Sequence, residues 1–99
     1  MVLKEIPSTV FLFTWHASSD KEYLYKLAER MGITKNVRFL GNLKHSELPK
    51  YYKEADIAIS IPSYDTIPVS LLEAMASGCA PVISDLASPR EIIKDGING

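Results

Sequence analysis

Two carboxylates stand eight positions apart near the middle of the chain, where a strand pattern meets a helix pattern. Asp65 follows the apolar run at residues 57–61, and Glu73 lies in a helical segment that begins at Pro68. α/β proteins bind polyanionic ligands where the carboxyl end of a parallel strand meets a helix N-terminus, because unpaired backbone N–H groups point outward there. A carboxylate one or two turns along that helix can reach ribose hydroxyls. This spacing therefore predicts a ligand site at the junction.

Each of the two acids also has a simpler interpretation. The predicted helix carries one polar face, made of Thr66, Ser70, Glu73 and Ser77, and such a face can simply meet water. Asp is also a common turn and N-cap residue, so Asp65 alone would indicate no more than a cap. The pairing with Glu73 favours a functional role for Asp65 but leaves both interpretations open.

The other residues that could take part in catalysis or metal binding form no recognisable motif. His16 follows the first predicted strand, at the sheet end where ligands bind, whereas His45 precedes a helix and is predicted to be a solvated loop residue. The single cysteine, Cys79, excludes an internal disulfide and is predicted to be a small buried side chain. Metal-ligand spacings and glycine-rich phosphate motifs do not occur, so we expect neither a metal nor a cofactor and assign no catalytic residue.

The composition predicts one small intracellular domain. The 99 residues carry a formal charge of −1 with acids and bases interspersed, which gives no electrostatic basis for binding nucleic acid. No apolar run approaches the roughly 18 residues that a membrane helix needs. We expect a cytoplasmic location, with the cytoplasmic face of the membrane as an alternative.

Four apolar runs alternate with four amphipathic patterns. The predicted strands are residues 10–15, 36–41, 57–61 and 80–84. Ser19 or Asp20 should cap the first helix, which ends at Gly32, and Ser46 should cap the second. The third helix should span residues 68–77, and Ser88 should cap the fourth. This alternation predicts an α/β fold with a doubly wound parallel sheet of four strands and helices on both faces. The abrupt ends suggest that residues 1–99 form a single partial domain.

At this point the chain resembles a known family. Residues 36–99, from NVRFLGNLKHSELPKYYKEAD to the final DGING, resemble the C-terminal donor-binding half of group 1 (family 4) retaining glycosyltransferases of the GT-B fold. The specific part is an acid, seven residues and a Glu, followed by AMASG, a strand, and a helix containing Glu. Residues 8–35 resemble the preceding strand and helix more weakly. The resemblance implies a UDP- or GDP-sugar donor, retention and no metal.

The resemblance also implies roles for particular residues. Glu73 would hydrogen-bond the ribose of the nucleotide sugar, and Asp65 would lie against the donor sugar. The backbone between them would contribute N–H groups to sugar or phosphate oxygens, from Thr66, Ile67 and Val69, since a proline at position 68 has none to donate. The loop after the second strand would frame the base, through Asn42, Leu43 and Lys44.

The sequence differs from the family pattern at several positions, and some family features are expected outside these residues. Asp65 replaces the commoner Glu, Thr66 and Pro68 replace glycines, and WHASSD replaces a glycine-rich turn. The basic pair that steadies the diphosphate and the acceptor-binding domain are expected outside these residues, so we predict that this chain alone transfers no sugar. The competing hypothesis is a non-catalytic nucleotide-binding or interaction module with a flavodoxin-like fold.

The family's strand order also bears on assembly. It places an earlier strand, which we expect to be missing here, between those at residues 10–15 and 57–61. We expect these two strands to close the gap by pairing directly, which gives the four predicted strands the order 2-1-3-4 in the sheet. We also expect the chain to self-associate through outer strand edges or helix faces.

Overall fold

The computed structural model describes residues 2–14 and 21–99. Its described residues fall into two compact units, Met1–Lys44 and His45–Gly99. Both units combine helices with parallel strands, so the predicted α/β class is confirmed.

The first unit is built around one pair of parallel strands. Its elements are α1 (Val2–Glu5), β1 (Phe11–Thr14), α2 (Lys21–Met31), a 3₁₀ turn (Thr34–Asn36) and β2 (Val37–Gly41). Phe11 lies opposite Val37, and the Phe39 ring contacts those of Phe13 and Tyr25 at centroid distances of 5.6 and 4.3 Å. This aromatic contact packs α2 against the strand pair.

α2 ends as the sequence predicts. Ala28 is buried on its inner side, and Gly32 has φ +68°, a left-handed conformation that glycine adopts without the clash a Cβ would bring. The proposed caps Ser19 and Asp20 lie outside the described residues, as do Trp15 and His16.

The second unit contains the predicted junction. Its elements are a 3₁₀ turn (His45–Glu47), α3 (Leu48–Glu54), β3 (Ile57–Ser60), α4 (Val69–Ala76), β4 (Ala80–Ile83) and α5 (Ala87–Ile92). β3 and β4 are parallel, with Ile57 opposite Ala80, and α4 packs on both strands and on α3. The buried core consists of Leu71, Ala74, Cys79, Pro81, Pro89 and Ile93.

Two predicted helix caps are wrong. Ser46 lies inside the 3₁₀ turn, one residue before Glu47, which occupies the cap position of α3 instead. Ser88 lies in the first turn of α5, after the extended residue Leu86. Neither Glu47 nor Leu86 makes a side-chain capping bond.

The strands form two sheets of two strands each, not the single four-stranded sheet that we predicted. Hydrogen bonds pair β1 with β2 and β3 with β4, and no ladder joins β1 to β3 within the described ranges. The strand order implied by the resemblance offers a physical reason. It places another strand between β1 and β3, so the two are not neighbours in that order, and among the described residues each is hydrogen-bonded on one edge only, to β2 and to β4 respectively.

The helices are all short. The longest described helix, α2, has 11 residues. Within residues 2–14 and 21–99, no helix has both the length and the apolar character required to cross a bilayer.

Candidate functional site

The candidate site lies at the carboxyl ends of β3 and β4. Because these strands are parallel, the segments that follow them, residues 61–68 and 84–86, emerge at the same sheet edge. The Ser84 hydroxyl donates a 2.8 Å hydrogen bond to the Pro62 carbonyl and ties the two segments together. This bond fixes the base of the loop that carries Asp65.

Asp65 binds the start of α5 rather than α4. The Ser88 backbone N–H donates to Oδ1 of Asp65 at 2.8 Å, and the Ser88 hydroxyl donates to Oδ2 at 3.0 Å. The carboxylate therefore satisfies one of the N–H groups that a helix leaves unpaired in its first turn. Each oxygen keeps one lone pair for a further donor.

Glu73 is paired with a histidine that lies 28 positions earlier. The Nε2 atom of His45 is 2.9 Å from Oε1 and 3.0 Å from Oε2 of Glu73. A carboxylate only accepts hydrogen bonds, so His45 is the donor and its N–H is shared between the two oxygens. The Glu73 side chain remains 32 % exposed, which leaves acceptor sites accessible to a ligand.

α3 lies beside Glu73, and its residue Tyr52 interacts with the Glu73 charge. The pKa of Tyr52 is raised by burial and, second, by the negative charge of Glu73. Cys79 is buried at the start of β4, and its Sγ donates to the carbonyls of Tyr52 and Ala55 at 3.2 and 3.5 Å. The prediction of a small buried side chain at Cys79 is confirmed, and burial and, second, the charge of Asp56 raise the pKa of its thiol.

Three backbone amides at the start of α4 are available to a ligand. Thr66 and Ile67 are half-buried in the loop, and Val69 opens the helix. Among the described residues, none of these three amides donates a hydrogen bond to another protein group. They are therefore the free donors that the helix N-terminus predicts.

The predicted base-framing residues belong to the first unit. Asn42 and Lys44 are exposed and Leu43 is half-buried in the turn after β2, where Gly41 has φ +76°. A site that combines them with Asp65 and Glu73 stays a prediction, because these two acids belong to the second unit. Within the described ranges, no group of three His, Cys, Asp or Glu side chains could hold a metal ion.

Sequence reasoning missed both partners of the two acids. A serine near a helix start signals a local cap, and nothing local distinguishes it from a partner of a carboxylate 23 positions earlier. His45 has no spacing relation to Glu73 that a helix or strand would produce. Only the packing of α3 on α4 brings these two residues together.

A family model and several known proteins match most of this chain. The family described as "Glycosyl transferases group 1" matches residues 17–99, so the chain belongs to the group 1 glycosyltransferase family. An uncharacterised glycosyltransferase of Methanocaldococcus jannaschii is 37 % identical over 79 residues, which is 80 % of this chain and 20 % of the relative.

Two further relatives carry more specific names. A D-inositol 3-phosphate glycosyltransferase of Corynebacterium jeikeium is 38 % identical over 79 residues, 79 % of this chain and 18 % of the relative. D-inositol 3-phosphate glycosyltransferase 2 of Catenulispora acidiphila is 32 % identical over 82 residues, 82 % of this chain and 19 % of the relative. The chain spans about a fifth of the length of these curated relatives. No solved structure matches it significantly.

Proposed function

We propose that the chain is part of the donor-binding domain of a retaining family 4 glycosyltransferase with the GT-B fold. It binds a UDP- or GDP-sugar along the carboxyl edge of β3 and β4. Glu73 accepts hydrogen bonds from the ribose, Asp65 lies towards the donor sugar, and Asn42, Leu43 and Lys44 frame the base. The amides of Thr66, Ile67 and Val69 meet sugar or phosphate oxygens.

One observation carries this proposal most strongly: the environment of Glu73. Its carboxylate is accessible, is held by a single shared donor, and stands on the helix that follows the strand end. Two neighbouring ribose hydroxyls offer the two donors that such a carboxylate can still accept. The free amides at the start of α4 supply the complementary donors for anionic oxygens.

Asp65 has a double role in this proposal. Its bonds to Ser88 hold the loop, and the lone pair left on each oxygen can accept a hydroxyl of the donor sugar. Asp is one methylene shorter than the Glu that is commoner in the family. Its reach towards a sugar is shorter for that reason, and Ser88 fixes its direction.

The larger features of the protein are proposals of the same kind. We infer that residues 1–99 form one partial domain and that the complete enzyme joins β1 and β3 through an intervening strand into a doubly wound sheet. The acceptor is bound by another domain, sugar is transferred with retention and without a metal, and the enzyme works in the cytoplasm or at the cytoplasmic membrane face.

The proposal is tested by titrating UDP and GDP into the chain and following backbone amides by NMR. We expect an affinity on the order of 1 mM, because the resemblance places outside these residues the basic pair whose charge-assisted bonds to the diphosphate are worth about 1.5–3 kcal/mol each. Amides from Asp65 to Glu73 and from Gly41 to Lys44 should shift. Shifts confined to the amino ends of the strands would refute the proposal.

A second candidate function is a non-catalytic nucleotide-binding or interaction module with a flavodoxin-like fold. The observation in its favour is that both acids already have protein partners, Ser88 and His45. If the module serves only for interaction, it needs no nucleotide, and we expect no saturable shifts with either UDP or GDP. If it binds nucleotide without catalysis, the shifts appear but sugar transfer does not.

A further inference from the structure

His45 is the polar residue at the candidate site to which neither the sequence pattern nor the family resemblance gives a role. It opens the 3₁₀ turn that leads into α3, and its side chain is 77 % exposed. An exposed histidine usually moves among several rotamers. Here its Nε2 lies almost equally far from the two oxygens of Glu73, at 2.9 and 3.0 Å.

This geometry restricts the Glu73 carboxylate. A glutamate side chain has three rotatable bonds, and fixing it for a ligand costs conformational entropy. A donor centred between the two oxygens holds the carboxylate group in one orientation before any ligand arrives. The remaining lone pairs then point in fixed directions.

The elements beneath both residues are held in place. Glu73 lies on α4 between the buried residues Leu71 and Ala74. His45 is carried by the turn that continues into α3, which packs on α4. The bonds from the Cys79 thiol to the Tyr52 and Ala55 carbonyls fix the far end of α3.

The contact does not depend on the charge of the imidazole. Both the neutral Nε2–H tautomer and the cation carry a proton on Nε2, so both can donate to Glu73. The arrangement is therefore suited to holding a carboxylate rather than to switching with pH.

We propose that His45 is a positioning residue, which holds the Glu73 carboxylate in the orientation that accepts hydrogen bonds from the ribose hydroxyls of a nucleotide. The proposal rests on the function proposed above, in which Glu73 binds the ribose. His45 itself need not touch the ligand. Its contribution is to reduce the freedom that Glu73 loses on binding.

The test measures the affinity of the full chain for UDP and GDP by NMR titration, in wild type, His45→Ala and His45→Gln. Glutamine places an amide N–H where Nε2 stands in histidine, so it can restore the bond that alanine removes. Ser46→Ala is the matched control, because Ser46 is exposed in the same 3₁₀ turn. The dideoxy forms of both nucleotides, which lack the 2′ and 3′ hydroxyls, are titrated in parallel.

We expect His45→Ala to weaken UDP or GDP binding about 3- to 10-fold, the value of one net hydrogen bond. His45→Gln and Ser46→Ala should stay within about twofold of wild type, and the dideoxy nucleotides should not distinguish the variants. Because the pair is exposed, the melting temperature of His45→Ala should fall by less than about 4 °C.

Three results would overturn the positioning role. These are unchanged or tighter nucleotide binding by His45→Ala, no rescue by glutamine, and an equal loss for the dideoxy nucleotides. If the chain binds and Glu73→Gln weakens binding while His45→Ala does not, only the role of His45 fails. If wild type binds neither nucleotide, the proposed function fails with it.

Discussion

At the scale of single residues, the two acids of the site have different tasks. Both carboxylate oxygens of Asp65 accept hydrogen bonds from Ser88, so its main contact with the protein is structural. The two oxygens of Glu73 share a single donor, His45, and the side chain stays accessible to a ligand. The difference follows from position. Asp65 lies in the loop that faces α5, and Glu73 lies on the helix that faces α3.

The structural task of Asp65 can be measured. Asp65→Ala removes both acceptors of Ser88, and we expect it to lower the free energy of unfolding by about 1 kcal/mol, the usual value of a helix cap. Hydrogen exchange should accelerate at the amides of Arg90 and Ile93, which donate to the Leu86 and Pro89 carbonyls. Asp95→Ala is the control, since that exposed acid makes no hydrogen bond among the described residues. Equal exchange in both variants would contradict the capping role.

The buried thiol of Cys79 gives a pH-dependent prediction. Its pKa is raised above the ordinary value of 9.0, so the unfolded chain ionises first as the pH rises. Stability is complete below about pH 9 and falls as the pH rises through the thiol pKa of the folded chain. Tyr52, whose pKa is also raised, acts in the same direction from about pH 10.

Urea unfolding between about pH 7 and pH 11 tests this dependence. Cys79→Ala should make the early part of the decline shallower, and Tyr52→Phe the later part. A stability that rises above pH 9 would have the wrong sign for a thiol held neutral by burial.

At the scale of elements, Gly78 controls the connection from α4 to β4. Its φ is +97°, and a Cβ added there would meet no atom within 4 Å. The cost of Gly78→Ala is therefore conformational rather than steric against neighbours, and we expect a loss of about 1–2 kcal/mol. Thermal unfolding measures it. A neutral substitution would mean that the turn can change its backbone path.

Many of the helix and strand boundaries were predictable from the sequence, because the residues that signal them lie within the elements or next to them. Gly32 ends α2 as predicted, and the apolar runs gave all four strands to within one or two residues. The predicted caps Ser46 and Ser88 were wrong because capping preference is a local statistic. α3 instead follows a 3₁₀ turn, and the first turn of α5 is bonded by Asp65, 23 positions earlier. The pairing of His45 with Glu73 was unpredictable for the same reason: it depends on how α3 meets α4.

At the scale of the whole molecule, the two small sheets leave strand edges unpaired within the described residues. On β3, Ile57 and Ile59 are 56 % and 61 % exposed. Open apolar strands favour association, so we expect sedimentation velocity to show dimers whose fraction grows with concentration. Ile59→Lys should reduce that fraction, while Lys53→Ala on the exposed side of α3 should not. A monomer at all concentrations would contradict the expectation.

Catalysis is also a question at the scale of the whole molecule. Leaving-group stabilisation and acceptor positioning each lower a barrier by several kcal/mol, and the family resemblance assigns both to residues outside these 99. We therefore expect no sugar transfer by the purified chain in a radiolabelled assay. Turnover above the rate without protein would refute that assignment.

One measurement tests most directly whether the carboxyl edge of β3 and β4 binds a nucleotide through Glu73. It compares UDP and GDP affinities of wild type, Glu73→Gln and Glu54→Gln, the last being the same change at an exposed acid on α3. Replacing the charged acceptor should weaken the better-binding nucleotide roughly 10-fold or more, and Glu54→Gln should leave it unchanged. Equal affinity of Glu73→Gln and wild type would contradict ribose binding by Glu73.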